Sequence, residues 1–214
     1  MDTPLTFLLI RHGETAWNRE GRIQGQRDSA LTARGIAQAR AAAARVAAER
    51  PDVLYSSDLG RAGETARHVS EATDLAVRLE PGLRERRYGI FEGKTWPEIE
   101  RDHPDDFARH AARDPDHLVP GGESPNQFRV RVLGTLDRIA REAAAKRIAV
   151  VAHGGVLDVL YREAMRIPLG APRAHALLNA TLNRLRWTDG AWELERWGEA
   201  SHLASGAALD DSEV

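Results

Sequence analysis

Two short apolar runs, each ending on a histidine, constrain this chain more than any other feature. Residues 6–10 lead without interruption into Arg11-His12-Gly13, and residues 148–152 lead into His153-Gly154-Gly155. A run of this length without polar alternation is consistent with a strand buried on both faces. In an open α/β sheet the ligand site lies outside the carboxyl ends of the strands. Both histidines are therefore expected at one edge of one sheet.

The intervening sequence supplies helices to cover such a sheet. Thr32 is placed to cap a helix running to about residue 49, ahead of Pro51. A second short strand is expected at 53–56, and Ser57 or Asp58 to cap a helix through about 71. A third strand at 76–79 is stopped by Pro81-Gly82. The segment 84–122 is the least regular, with Pro97, Pro104, Pro115 and Pro120 and short helical pieces near 97–101 and 105–113. Ser124 or Asn126 opens a longer helix to about 146, with Phe128, Val132, Leu136 and Ile139 near helical spacing. Residues 156–165 read as a helix. Residues 182–187 and 191–197 alternate around Asp189-Gly190, a hairpin signal. This order predicts an α/β three-layer sandwich: a mostly parallel central sheet, helices on both faces, and a C-terminal hairpin contributing to the sheet. One catalytic domain is expected over 1–197, with a lid at about 84–124 and a polar, flexible tail at 198–214.

Composition narrows the function classes. The 214 residues carry a formal net charge of -2, so a global basic field for nucleic acid is absent and any anion site is local. There is no cysteine, which excludes disulfides, zinc-thiolate sites and cysteine nucleophiles. A cytoplasmic home fits. The apolar start at 5–10 is too short for a signal-peptide core or a membrane span. Asn179-Ala180-Thr181 matches a glycosylation acceptor and is read as chance. A monomer or homodimer is expected.

The residues delivered to the sheet edge suit phosphoryl transfer. Arg11 accompanies His12, Arg61 follows the second strand, and Glu85 follows the third. Guanidinium groups clamp phosphoryl oxygens bidentately and stay charged. A neutral imidazole is a nucleophile near physiological pH, and a carboxylic acid can protonate a leaving oxygen. The competing reading is a metal site at His12, His153 and Glu85; Arg11 and Arg61 argue against it by repelling a cation. Gly89 to Thr95 has one residue too few between its glycines for a P-loop. The other histidines and Trp187, Trp192 and Trp197 are read as surface or packing residues.

Four ordered motifs carry a resemblance. Arg11-His12-Gly13-Glu14-Thr15 with Asn18, Ser56-Ser57-Asp58-Leu59-Gly60-Arg61-Ala62 with Thr65-Ala66, Leu83-Arg84-Glu85 with Tyr88-Gly89 and Glu92-Gly93, and Ala152-His153-Gly154-Gly155 together resemble the histidine phosphatase (phosphoglycerate-mutase-like) superfamily over about 7–156. The resemblance implies that His12 is the nucleophile and that Arg11, Arg61 and His153 bind the phosphoryl oxygens. It implies Glu85 as proton donor, and Asn18, Gln24 and Gly154 as phosphate-pocket residues. In the family no metal or other cofactor is needed, and the partner is a small phosphate monoester.

Within that family the small phosphatase branch is favoured over the cofactor-dependent glycolytic mutases. Those mutases have a longer insertion with paired arginines for the substrate carboxylate, whereas Arg109 and Arg113 here are one helical turn apart. Glu85-Arg86-Arg87-Tyr88-Gly89 is the counter-signal, and 2,3-bisphosphoglycerate enters only on the mutase reading. Gly121-Gly122-Glu123-Ser124 resembles a stretch common in the small phosphatases. The lid, with Arg86, Arg87, Arg101, Arg109, Phe91, Trp96 and Phe107, is expected to read the non-phosphate part of the substrate. A non-catalytic phosphate-binding module is the alternative outside enzymology.

Overall fold

The computed structural model describes residues 4–203. Four strands come first: β1 (Leu5–Arg11), β2 (Val53–Ser56), β3 (Val77–Leu79) and β4 (Arg147–Ala152). β5 (Leu182–Thr188) and β6 (Ala191–Glu199) follow as a hairpin. They form one six-stranded sheet in the order β3-β2-β4-β1-β5-β6. β3, β2, β4 and β1 are parallel, and β5 and β6 join antiparallel. Arg11 lies opposite Ala152 and Ser56 opposite Val151, so the carboxyl ends of three parallel strands are level.

The helices are α1 (Ala16–Glu20), α2 (Ala33–Ala48), α3 (Gly60–Thr73), α4 (Trp96–Asp102), α5 (Pro104–Ala111), α6 (Pro125–Glu142) and α7 (Gly154–Met165). Successive side chains of a strand point to opposite faces. Phe7 and Leu9 of β1 accordingly pack with Val132, Leu136 and Ile139 of α6 and Leu157 and Leu160 of α7. Leu8 and Ile10 pack instead with Ala42, Ala43 and Val46 of α2 and Ala62, Ala66 and Val69 of α3. The central strands are thus apolar on both sides, and each fully buried Leu, Ile or Phe contributes about 1.5–3 kcal/mol of transfer free energy. The expected three-layer sandwich forms for this reason.

The segment 84–124 builds a smaller core of its own from Ile23, Tyr88, Phe91, Ile99 and Val119. The short helical pieces expected near 97–101 and 105–113 form there as α4 and α5. Pro97 and Pro104 fall in the first turns of α4 and α5, where the missing N–H leaves no intrahelical bond unmade.

Several boundaries differ from the sequence reading. Neither Ser57 nor Asp58 caps α3; its N-cap is Leu59, without a side-chain bond. Asp28, from a distant loop, accepts from the N–H groups of Gly60 at 2.7 Å and Arg61 at 3.3 Å and does the capping instead. α6 ends at Glu142, because Ala143 is extended. α7 begins two residues earlier than expected, directly on His153 as N-cap. α1 was not anticipated; Thr15 and Asn18 form its capping box. β6 continues through Gly198 to Glu199, beyond the expected domain end. His202 Nε2 lies 2.8 Å from the Ala180 carbonyl and Leu203 packs on the α2–α3 core, so residues 198–203 do not form a loose tail. The rest of the expected tail, 204–214, lies outside the described residues. No helix among the described residues is long and apolar enough to cross a membrane.

Candidate active site

His12 sits one residue past the end of β1, and its backbone is fixed from several directions. Its N–H donates to the Ala152 carbonyl at 3.0 Å, extending the β1–β4 ladder. Its own carbonyl accepts from Asn179 Nδ2 at 3.0 Å. Gly13 N donates to Thr65 Oγ1 at 3.1 Å. Asn179 is therefore a buried strut under His12, which removes the glycosylation match on structural grounds.

Gly13 was expected to allow a tight turn, but it has no left-handed φ. The need is for space: a Cβ on Gly13 would lie 2.3 Å from the Gly35 carbonyl oxygen, and one on Gly35 would lie 2.0 Å from that of Glu14. Two glycines back to back let the start of α2 press against the His12 loop. Buried Glu14 joins the same junction, accepting from Thr32 Oγ1 at 2.6 Å.

The imidazole tautomer follows from its neighbours. His12 Nδ1 is 2.8 Å from the Gly13 carbonyl, which can only accept, so the proton resides on Nδ1. Arg61 Nε donates to Nε2 at 3.2 Å, which marks Nε2 as the atom with the lone pair. Burial, reinforced by the Arg61 and Arg11 guanidiniums, holds the His12 pKa well below its ordinary value, so the ring is neutral at pH 7.

Arg61 is buried and held on three further sides. Its Nη1 donates to the Arg27 carbonyl at 2.7 Å and to Asp28 Oδ1 at 2.8 Å, and its Nη2 donates to the Gly25 carbonyl at 2.8 Å. Asp28 thus balances a charge that has little water around it. Arg11 Nη1 donates to the Leu177 carbonyl.

His153 comes to the same place by the second route. Its ring centroid is 5.3 Å from that of His12, and it is fully buried. Ser57 Oγ accepts from Leu59 N at 3.3 Å and lies 2.8 Å from His153 Nε2. The hydroxyl holds the ring through Nε2, and Nδ1 has no hydrogen-bond partner among the described residues. Burial, then Arg61, lowers the His153 pKa well below its usual value.

Glu85 is half-buried. Its Oε1 accepts from Arg86 N at 2.7 Å and its Oε2 from Gly155 N at 2.9 Å. A Cβ on Gly155 would sit 2.2 Å from Glu85 Oε1, so the second glycine after His153 is the receptor for this carboxylate. A Cβ on Gly154 would meet Arg11 Nε at 3.5 Å, an ordinary contact.

Two adjoining cavities meet at Arg11, Glu85 and Tyr88. The first, about 200 Å³, is lined by His12, Arg61, Asn18 and Gln24 as well. The second, about 160 Å³, is lined by Gly154, Arg86, His110, Arg113, His117 and Asp158 among others. His153 borders neither and stands behind His12; Gly154 faces the second cavity, away from the expected phosphate pocket. Asn18 Oδ1 is engaged by Thr15 N at 3.0 Å, and Gln24 Oε1 accepts from Ser29 Oγ at 3.2 Å. The sequence reading missed Asp28, Asn179 and Gly155 as site residues, and it gave Ser57, a member of the second motif, no role beyond a helix cap. Of these, Gly155 alone had a local signal, as the second glycine of its motif.

A family model described as "Histidine phosphatase superfamily (branch 1)" matches residues 7–200. A metal-independent phosphoserine phosphatase of Arabidopsis thaliana is 40% identical over 202 residues, covering 93% of this chain and 83% of that protein. A phosphoglycerate mutase-like protein of the same plant is 36% identical over 201 residues, covering 92% of this chain and 86% of its own length. Among solved structures, a mycobacterial glucosyl-3-phosphoglycerate phosphatase superposes with a TM-score of 0.79 at 30% identity, covering 92% of this chain and 100% of that one.

Proposed function

The chain belongs to the histidine phosphatase superfamily and is a phosphatase, and from that premise we propose that it hydrolyses a small phosphomonoester through a phosphohistidine at His12. The observation that carries this reading is the neutral His12 ring with its lone pair on Nε2, beside the Arg61 guanidinium.

In the first step the Nε2 lone pair attacks phosphorus and the bond to the leaving oxygen breaks. That oxygen takes a proton from the Glu85 carboxyl group, which is left as the carboxylate. The phosphoryl oxygens take over the Arg61 Nε–H that otherwise rests on His12 Nε2. Arg11, which lines the same cavity, supplies further positive charge, and His153, packed against His12, makes no direct contact with the phosphoryl oxygens in this scheme. The Asn18 amide nitrogen is the end able to donate, because Oδ1 is held by Thr15, and Gln24 lines the same cavity. In the second step water attacks phosphorus and gives a proton to Glu85; the P–N bond breaks and its electron pair returns to Nε2. The transition state is loose, so fixed positive charge supplies most of the acceleration. The arginines perform the neutralisation, and the scheme calls on no metal.

The second cavity is the place for the leaving group. It presents Arg86 and Arg113 beside neutral His110, while its Asp158 is paired with Arg162 at 2.8 Å and His175 at 2.9 Å. This lining suits a leaving group that carries a carboxylate, and phosphoserine, named for the Arabidopsis relative, is the first candidate. The test is a panel of phosphomonoesters: phosphoserine, 3-phosphoglycerate with and without 2,3-bisphosphoglycerate, and neutral-alcohol phosphates. Free phosphate, released faster from the carboxylated esters, is the expected product. An isomerised phosphoglycerate would establish the mutase reading instead.

A further inference from the structure

Arg131 has no part in the reaction scheme, yet it makes the densest set of hydrogen bonds around the loop that carries Glu85. It projects from α6. Its Nε donates to Glu123 Oε1 at 2.8 Å and its Nη2 to Glu123 Oε2 at 2.7 Å, a bidentate pair. The remaining N–H groups reach backbone carbonyls of the acid loop: Nη1 to Gly82 and Arg84, both at 2.9 Å, and Nη2 to Glu85 itself at 3.2 Å. Its guanidinium carbon also lies 5.1 Å from the centroid of the Phe128 ring.

Glu123 grips the same loop from its other end. Its Oε2 accepts from Arg87 N at 2.9 Å and its backbone carbonyl from Arg86 Nε at 2.9 Å. The loop has no regular secondary structure between the 3-10 turn Pro81–Leu83 and the next at Gly89–Phe91. Its carbonyls at 82, 84 and 85 therefore find their partners on Arg131. The Glu85 carboxylate then extends to the start of α7, where Gly155 receives it.

We propose that Arg131, locked by Glu123, is a positioning residue for proton transfer: it fixes the 82–87 backbone so that the Glu85 carboxyl group reaches the leaving oxygen. The inference rests on Glu85 being the proton donor. A proton donor is effective only within hydrogen-bond reach of the oxygen it protonates, and small displacements of a supporting shell are costly. Lysine at this position cannot replace the planar fork, since a single ammonium cannot serve a carboxylate and three carbonyls in that geometry.

Leaving-group dependence separates this role from a merely structural one. An ester with a good leaving group, p-nitrophenyl phosphate, needs little protonation; phenyl phosphate and glycerol 2-phosphate need much more. The constant to compare is kcat/KM, because it reports the steps up to phosphorylation of His12 and excludes the later hydrolysis. Arg131→Gln is expected to lower kcat/KM at least about tenfold for phenyl phosphate and glycerol 2-phosphate, and less than about threefold for p-nitrophenyl phosphate. Glu123→Gln keeps the shape of the pair, guards against a folding failure at Arg131, and should show the same selectivity at smaller size. Arg131→Lys should rescue little. Equal losses on all three esters, or no loss, in Arg131→Gln and Glu123→Gln overturn the proposal. Glu85→Gln reports on the premise: if it too loses activity equally on all three, the proton-donor assignment fails and takes the role of Arg131 with it.

Discussion

Asp28 meets Arg61 twice: one carboxylate oxygen accepts both from the Arg61 backbone N–H at 3.3 Å and from its guanidinium Nη1 at 2.8 Å. The same carboxylate also accepts from Gly60 N at 2.7 Å. A single side chain thus starts α3 and aims the arginine that rests on His12.

Asp28→Ala should therefore lower both stability and turnover. Breaking a buried ion pair from one side costs about 3–5 kcal/mol. Here Asp28 is partly exposed and Arg61 keeps two carbonyl partners, so about 2 kcal/mol is the expected loss in a urea unfolding titration. kcat/KM should fall at least about tenfold, since the guanidinium loses one of its fixed directions. An unchanged kcat/KM would show that Arg61 does not act on the phosphoryl group.

Gly155→Ala should damage catalysis far more than Gly154→Ala. The added methyl at 155 would occupy the place of Glu85 Oε1, whereas the one at 154 meets Arg11 at ordinary contact distance. The expected signature at 155 is a kcat/KM loss of about 10²-fold on poor leaving groups, with a modest change in unfolding midpoint. Equal effects of the two substitutions would remove Gly155 as the receptor of the acid.

Acid should weaken the fold before the carboxylates titrate. His12 and His153 have folded pKa values well below the ordinary value, and burial, with Arg86 next in size, pushes His110 down from 6.5 to about 4. The unfolded chain takes up these protons as pH falls through about 6.5 while the folded chain does not, so unfolding is favoured on the acid side. Stability is therefore fully present above about pH 6.5 and declines from there, by about 1.4 kcal/mol per pH unit for each histidine once the unfolded group is protonated. Urea unfolding at pH 7, 6 and 5 measures the slope, and His110→Gln should make it shallower by one proton. An unchanged slope in that variant would mean that His110 titrates normally in the folded protein.

The fold and the centre of the site were legible because they depend on local patterns. An unbroken apolar run signals a strand covered on both faces, and its end locates His12 and His153. The struts were not legible, because each is defined by a partner far away in the chain. Asp28 reaches Arg61 across 33 residues, Ser57 reaches His153 across 96, and Asn179 reaches His12 across 167. Nothing near Asp28 in sequence says that it will cap a helix it does not belong to. Pro97 and Pro104 were legible for the opposite reason: a proline starts a helix well, and the short helices expected near 97–101 and 105–113 form there.

The central claim is that His12 Nε2 carries the phosphoryl group between substrate and water. Its most direct test is rapid quenching of the enzyme with a ³²P-labelled phosphomonoester, followed by peptide mapping. The account predicts a transient label on the peptide containing His12, stable in alkali and lost in acid as a P–N bond is, and absent from His12→Ala along with turnover. Full phosphate release by His12→Ala, or a label on a different peptide, would contradict it.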